Sequence, residues 1–241
     1  MIEKLDKLPP IQPLYTGMKT LDEWCDGFVS GELILLSGKP KAGKSLLMRT
    51  FIDSFCRQGI APIVFSYEES PAQFFKNFDN EAQDIMFYIP NRLEAYDVYW
   101  VLDRMLEAKL KKGTKIAFID HGHYLFNMSE KSSSLDIGGV ARELKNFARE
   151  EGYVIFLIWH TTKGRVDSLE DLDQSLLRDS GLLAGESDMV FFNYRDVKSS
   201  GLSQVDESFI KIECTRRTGV WKRVIPIRKE GGRFVETGID F

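Results

Sequence analysis

The chain has 241 residues, 43% hydrophobic and 28% charged, with a formal net charge of −4. That length suits one large α/β domain, and the composition excludes a mostly disordered chain. The charge excludes a globally basic surface, so any nucleic-acid contact must come from local basic loops.

No apolar run reaches the roughly 18–20 residues a membrane helix needs. Residues 1–7 are charged and lack the apolar stretch of a secretory signal. Cys25, Cys56 and Cys214 are odd in number, far apart and form no CxxC pair, which argues against a disulfide framework or a cysteine zinc site. A cytoplasmic protein with no membrane partner is expected.

Prolines 9, 10 and 13 make the start an extended arm. A short helix over 20–26, closed by Gly27, completes an N-terminal segment of residues 1–30. Strands and helices then alternate. Strands are predicted at 32–37, 62–67, 85–89, 115–120 and 153–159. Helices are predicted at 45–57, from Ser70-Pro71, at 94–112 and at 135–150. Continuous apolar strands separated by helices imply a mostly parallel sheet covered on both faces. After Ser187 the pattern becomes strands alone, at 189–194, 209–213, 220–227 and 233–236. The expected fold is therefore an α/β core over 31–241, with a parallel sheet extended by C-terminal antiparallel strands. Polar segments 127–134 and 161–174 would leave the carboxyl ends of strands, where open α/β sheets place ligands.

Gly38-Lys39-Pro40-Lys41-Ala42-Gly43-Lys44-Ser45 fits the phosphate-binding loop G-x-x-x-x-G-K-[ST], between a strand and a helix. Its backbone amides, with those opening the helix at Leu46, would cradle phosphate oxygens. Lys44 would neutralise the β- and γ-phosphates of ATP, and the Ser45 hydroxyl would bind Mg²⁺. Asp120 ends an apolar strand, as expected of a carboxylate that holds Mg²⁺ through water. Glu68 and Glu69 follow the strand after the phosphate loop and are candidates to orient the attacking water. His160 ends another strand and is placed to sense the γ-phosphate. His121 and His123 follow Asp120, but no third ligand is evident for a transition metal.

These residues resemble the RecA-fold ATPase domain of ring-forming replicative helicases, of the DnaB and phage primase-helicase types. The likeness begins at Thr16-Gly17-Met18-Lys19-Thr20-Leu21-Asp22. It continues through the phosphate loop and Tyr67-Glu68-Glu69-Ser70-Pro71, where Glu68 matches the family's catalytic glutamate. Its most specific stretch is Leu177 to Asp188. Tyr194-Arg195 is similar to a strand end whose arginine packs by the nucleotide base. Glu213 to Gly219 is similar to a hairpin that sends an arginine into a neighbouring subunit's site; Arg216 matches it best, with Arg217 adjacent.

The resemblance implies a homo-oligomer, a hexameric ring with ATP between subunits, moving on single-stranded DNA and working with a loader or primase. Lys163, Arg165 and Arg178 are the implied DNA contacts. The sequence departs from the family at Cys214, where a lysine is frequent, and in the acidic second loop (Asp167, Glu170, Asp171, Asp173). His160 matches the phage type. Two alternatives stay open: a RecA/RadA-like recombination ATPase, and a KaiC-like regulatory ATPase without DNA binding.

Overall fold

In a computed structural model of the chain, the described residues are 12–76, 78, 86–126, 134–161, 168–173, 175–177, 181–200 and 203–238. The elements, in chain order, are α1 (Lys19–Cys25), β1 (Leu33–Gly38), α2 (Lys44–Arg57), β2 (Ile63–Ser66), α3 (Pro71–Lys76), α4 (Val98–Lys112), β3 (Ile116–Asp120), α5 (Ser134–Glu151), β4 (Val154–His160), α6 (Gly181–Glu186), β5 (Met189–Ser200), β6 (Ser203–Thr215), β7 (Trp221–Glu230) and β8 (Arg233–Glu236).

Among the described residues these strands form one sheet in the order β2-β3-β4-β1-β5-β6-β7-β8. The first five run parallel, and β6, β7 and β8 are added antiparallel. The central parallel strands are buried on both faces, which explains their unbroken apolar runs. Alternate residues feed opposite cores. Leu33, Leu35, Phe65, Ile119 and Leu157 pack under α4 and α5. Ile34, Leu36, Val64, Phe118 and Phe156 pack under α1 and α2. Phe156 anchors the second core, stacked on Phe118 with ring centroids 4.6 Å apart.

Local chemistry sets the helix ends. Ser70 and Gln73 cap each other at the start of α3: Gln73 N donates to Ser70 Oγ at 3.3 Å, and Ser70 N donates to Gln73 Oε1 at 3.2 Å. The helix expected from Glu94 begins at Val98 instead, because Asp97 caps it by accepting from Trp100 N at 3.0 Å. The strand expected at 85–89 is not extended: its described part supplies one isolated bridge, between Tyr88 and Ile63. The last-third strands are longer than their apolar cores, because β5 and β6 pair along a two-stranded ribbon out to Ser200 and Ser203.

The lead-in 16–22 is a fastening. Asp22 accepts from Thr16 N, Thr16 Oγ1 and Gly17 N, each at 2.8 Å. Glu236 at the end of β8 accepts from Thr20 N and Leu21 N, tying α1 to the last strand. No helix among the described residues is long and apolar enough to cross a membrane.

Candidate nucleotide site

The strand order reverses at β1, and open α/β sheets bind ligands at the carboxyl ends flanking such a point. Gly38 ends β1 level with His160 on β4, and Ser66 on β2 is level with Asp120 on β3. Glu68 lies two residues beyond Ser66. Topology alone thus gathers Lys44, Ser45, Glu68, Asp120 and His160 at one edge.

The phosphate loop needs its glycines. Gly38 has φ +148°, and a Cβ there would lie 2.4 Å from the Asn193 carbonyl oxygen. Gly43 has φ +93°, and its Cβ would meet the Phe234 ring at 2.9 Å. Asn193 Nδ2 donates to Ala42 O at 2.5 Å, holding the loop from β5. Half-buried Lys39 and exposed Pro40 and Lys41 link the strand to the helix, and Leu46 lies in the first turn of α2. Arg195, two residues beyond Asn193 and on the same face of β5, is exposed.

Lys44 is buried and donates to Gly38 O at 3.0 Å, Lys39 O at 2.9 Å and His160 Nδ1 at 3.0 Å. Burial lowers its pKa to about 8, against the opposing pull of Asp120 and Glu68. Phosphate oxygens would supply the charge that this lysine is short of. His160 is lowered to about 4, by burial first and then by Lys44, His121 and His123, so its ring is neutral at pH 7.

Ser45 Oγ donates to Asp120 Oδ2 at 3.2 Å. Asp120 Oδ1 is buried, makes no aligned hydrogen bond and lies against His121 Nδ1. A hydroxyl beside a buried carboxylate is a hard oxygen donor set, which fits Mg²⁺.

His121 is a member of the site that sequence reasoning passed over. It is 3% exposed, and its Nε2 lies 2.9 Å from Glu68 Oε1. Its Nδ1 lies against Asp120 Oδ1. Neither ring nitrogen makes a hydrogen bond. His123 instead stacks on Trp159, with centroids 3.8 Å apart. Asn193 and Phe234 were also missed; an amide inside the apolar run 189–194 was the available signal. Glu69 lies outside this cluster and pairs with Arg49 at 3.2 Å.

The two arginines of the β6–β7 hairpin separate cleanly. Arg217 is spent on its own chain, donating to Asp26 Oδ2, Glu32 Oε1 and the carbonyls of Cys25, Asp26 and Gly27, all within 3.1 Å. Arg216 is exposed and touches the Gly185 carbonyl. Its backbone N donates to Asp188 O at 2.8 Å, and Asp188 Oδ2 accepts from Leu33 N at 2.7 Å. Arg216 therefore sits at the amino edge of the sheet. Strand β1 separates that edge from Gly38 by about 17 Å at ~3.3 Å per residue. Its side chain cannot span that distance to its own phosphate loop.

The segment 177–188 is partly structural. Asp188 takes an ion pair from buried Lys145 of α5, and Lys145 also donates to Gly31 O at 2.7 Å. Lys211 of β6 donates to Leu169 O at 3.1 Å and to Leu172 O, holding part of the second polar loop. Lys163, Arg165 and Arg178, expected at DNA, lie outside the described residues.

The family described as "ATPase: KaiC" matches residues 14–155, more than half of the chain. The chain belongs to that ATPase family. Residues 14–155 include the phosphate loop, Glu68, Asp120 and His121, so the family covers most of the cluster. The circadian clock oscillator protein KaiC of Rippkaea orientalis is 48% identical over 63 residues, 26% of this chain and 12% of that protein. The replicative DNA helicase DnaB of Helicobacter pylori strain J99 is 27% identical over 75% of this chain and 43% of its own. The chain thus spans less than half of either curated relative. The solved ATPase domain of G40P superposes with a TM-score of 0.80 at 19% identity, covering 98% of this chain and 95% of that one. That likeness establishes the RecA-like fold, including the antiparallel extension beyond residue 155.

Proposed function

We propose that residues 31–241 form an ATP-hydrolysing motor domain that assembles as a ring and moves on single-stranded DNA. The carrying observation is the convergence of Lys44, Ser45, Glu68, Asp120 and His160 at one edge, with Arg216 at the opposite edge. A head-to-tail neighbour would bring its arginine to this site, as a closed ring requires.

In this reading Lys44 and the amides of the 38–45 loop bind the β- and γ-phosphates of ATP. Ser45 and Asp120 would hold Mg²⁺, which supplies charge neutralisation when bound. Glu68 orients the attacking water and takes its proton. His160 releases Lys44 to the γ-phosphate and reports its loss. Arg216 of one copy offsets charge developing on the transferred phosphoryl group of the next. Arg195 lies by the base. Lys163, Arg165 and Arg178 carry the phosphate contacts to DNA. A loader or primase would be a partner, and a cytoplasmic setting fits the reduced thiols.

The motor reading is supported over the regulatory one by breadth. The helicase relative aligns over 75% of the chain, the KaiC relative over 26%. Electron microscopy of Glu68→Gln protein with ATP tests the assembly. Closed rings are expected. Filaments would favour a recombination ATPase, and wild-type protein that hydrolyses ATP while remaining monomeric would defeat the trans arginine.

A further inference from the structure

We propose that the nucleotide-free site binds a zinc-class divalent cation through Glu68 Oε1, His121 Nε2 and His160 Nε2. The three residues come from the ends of different strands, β2, β3 and β4, and their ligand atoms all lie within 4.8 Å of one another. Glu68 Oε1 is 2.9 Å from His121 Nε2 and 3.6 Å from His160 Nε2. A tetrahedral ion with bonds of about 2.0–2.1 Å sets its ligand atoms about 3.3 Å apart. The two observed separations bracket that value.

A second observation points to a ligand independently. His121 is 3% exposed, and its nitrogens face the carboxylates of Glu68 and Asp120 without an aligned hydrogen bond to either. A buried imidazole aimed at a carboxylate without bonding to it leaves a desolvated lone pair or N–H, which is costly. Coordination would satisfy it. The His121 and His160 rings are edge to face with centroids 3.9 Å apart, so side-chain rotation that opens this angle accompanies coordination by both. The cluster opens into a cavity of about 260 Å³ lined by Tyr96, His123 and Tyr124, giving an entry path and room for a water as fourth ligand.

Two imidazoles and one carboxylate suit zinc or cobalt over Mg²⁺, which takes oxygen ligands. The adjacent Ser45–Asp120 pair is the oxygen site, so the two preferences are separated by donor type. Coordination at His160 Nε2 moves that ring's proton to Nδ1. Lys44 then loses its contact there and keeps the carbonyls of Gly38 and Lys39 as acceptors. The ion engages Glu68, so occupancy and water activation exclude each other. This consequence, inhibition of hydrolysis, rests on the role proposed for Glu68; the binding itself does not.

The test titrates nucleotide-free protein with Zn²⁺ against a chromophoric chelator, with Co²⁺ as a spectroscopic probe. One ion per chain is expected, with visible Co²⁺ bands of a four-coordinate nitrogen/oxygen site. His121→Ala should weaken binding at least tenfold, and His123→Gln should not. Fluorescent ADP binding by His121→Ala establishes that the variant is folded. Equal zinc affinity in wild type and His121→Ala, no stoichiometric binding, or a cobalt–thiolate band from a cysteine site would overturn the proposal. Turnover is measured separately. Zinc binding that leaves hydrolysis untouched would contradict the role of Glu68 and not the metal site.

Discussion

Lys44 Nζ donates to His160 Nδ1 at 3.0 Å, linking the phosphate loop to the end of β4. Pairing of β1 with β4 sets Gly38 level with His160, the phosphate loop returns Lys44 of α2 to that point, and burial keeps the ring neutral so that it can accept. The lysine is thus held by a neutral partner and two carbonyls until phosphate replaces them.

This contact gives His160 a role distinct from binding. His160→Ala should leave ATP affinity within a few-fold of wild type and lower kcat by at least about tenfold, about 1.4 kcal/mol in barrier. Lys44→Ala should abolish nucleotide binding. Equilibrium binding of a fluorescent nucleotide beside steady-state turnover separates the two variants. Wild-type kcat in His160→Ala would remove the histidine from the mechanism.

The two hairpin arginines should fail differently. Arg217→Ala strips the partner from Glu32, whose carboxyl is already pushed up by burial. It should destabilise the fold by about 2 kcal/mol, reduced from a fully buried pair because Arg217 is partly exposed. Arg216→Ala should leave the denaturation midpoint unchanged and remove most turnover. Mixing Arg216→Ala with Lys44→Ala protein should recover partial activity, because some interfaces then pair an intact loop with an intact arginine. No recovery on mixing would place both residues in one subunit's site.

The phosphate loop has no space for a side chain at Gly38. Gly38→Ala would press a methyl group onto the Asn193 carbonyl and disfavour the local φ. A loss of about 2–4 kcal/mol in chemical denaturation is expected, with loss of nucleotide binding. Wild-type stability would show that the loop relaxes freely.

His123 predicts an acid-side weakness. Burial first, then His121 and Lys44, lowers its pKa from 6.5 to about 4. The native ring stays neutral while the unfolded ring protonates below pH 6.5. Its contribution is therefore full above pH 6.5 and is lost as pH falls towards 4. Urea denaturation at pH 7 and pH 5 should show this loss, and His123→Gln should make it shallower. An unchanged pH slope in the variant would assign the loss elsewhere.

Much of the site was legible because it follows from topology. A phosphate loop after one strand, and Asp120, Glu68 and His160 at the ends of others, must meet if the strands are parallel. The antiparallel extension was legible from helix-free apolar runs after Ser187. Contacts across the sheet were not. Nothing in the spacing says that Asn193 supports Ala42, that Glu236 caps α1, or that Arg217 is consumed by Asp26 and Glu32. His121 was discounted because its co-ligands are remote in sequence: Glu68 lies 53 positions before it and His160 39 positions after, although β2 and β4 flank β3 in the sheet. The start of α4 slipped because Asp97 capped the helix after a Glu94 that looked helical.

Steady-state ATP hydrolysis at low salt, with and without single-stranded DNA, tests the central claim most directly, because phosphate contacts weaken as salt rises. The account predicts clear stimulation by single strands, abolished in Lys44→Ala and Glu68→Gln. Hydrolysis that ignores DNA at every salt concentration would contradict the motor reading and favour a regulatory ATPase.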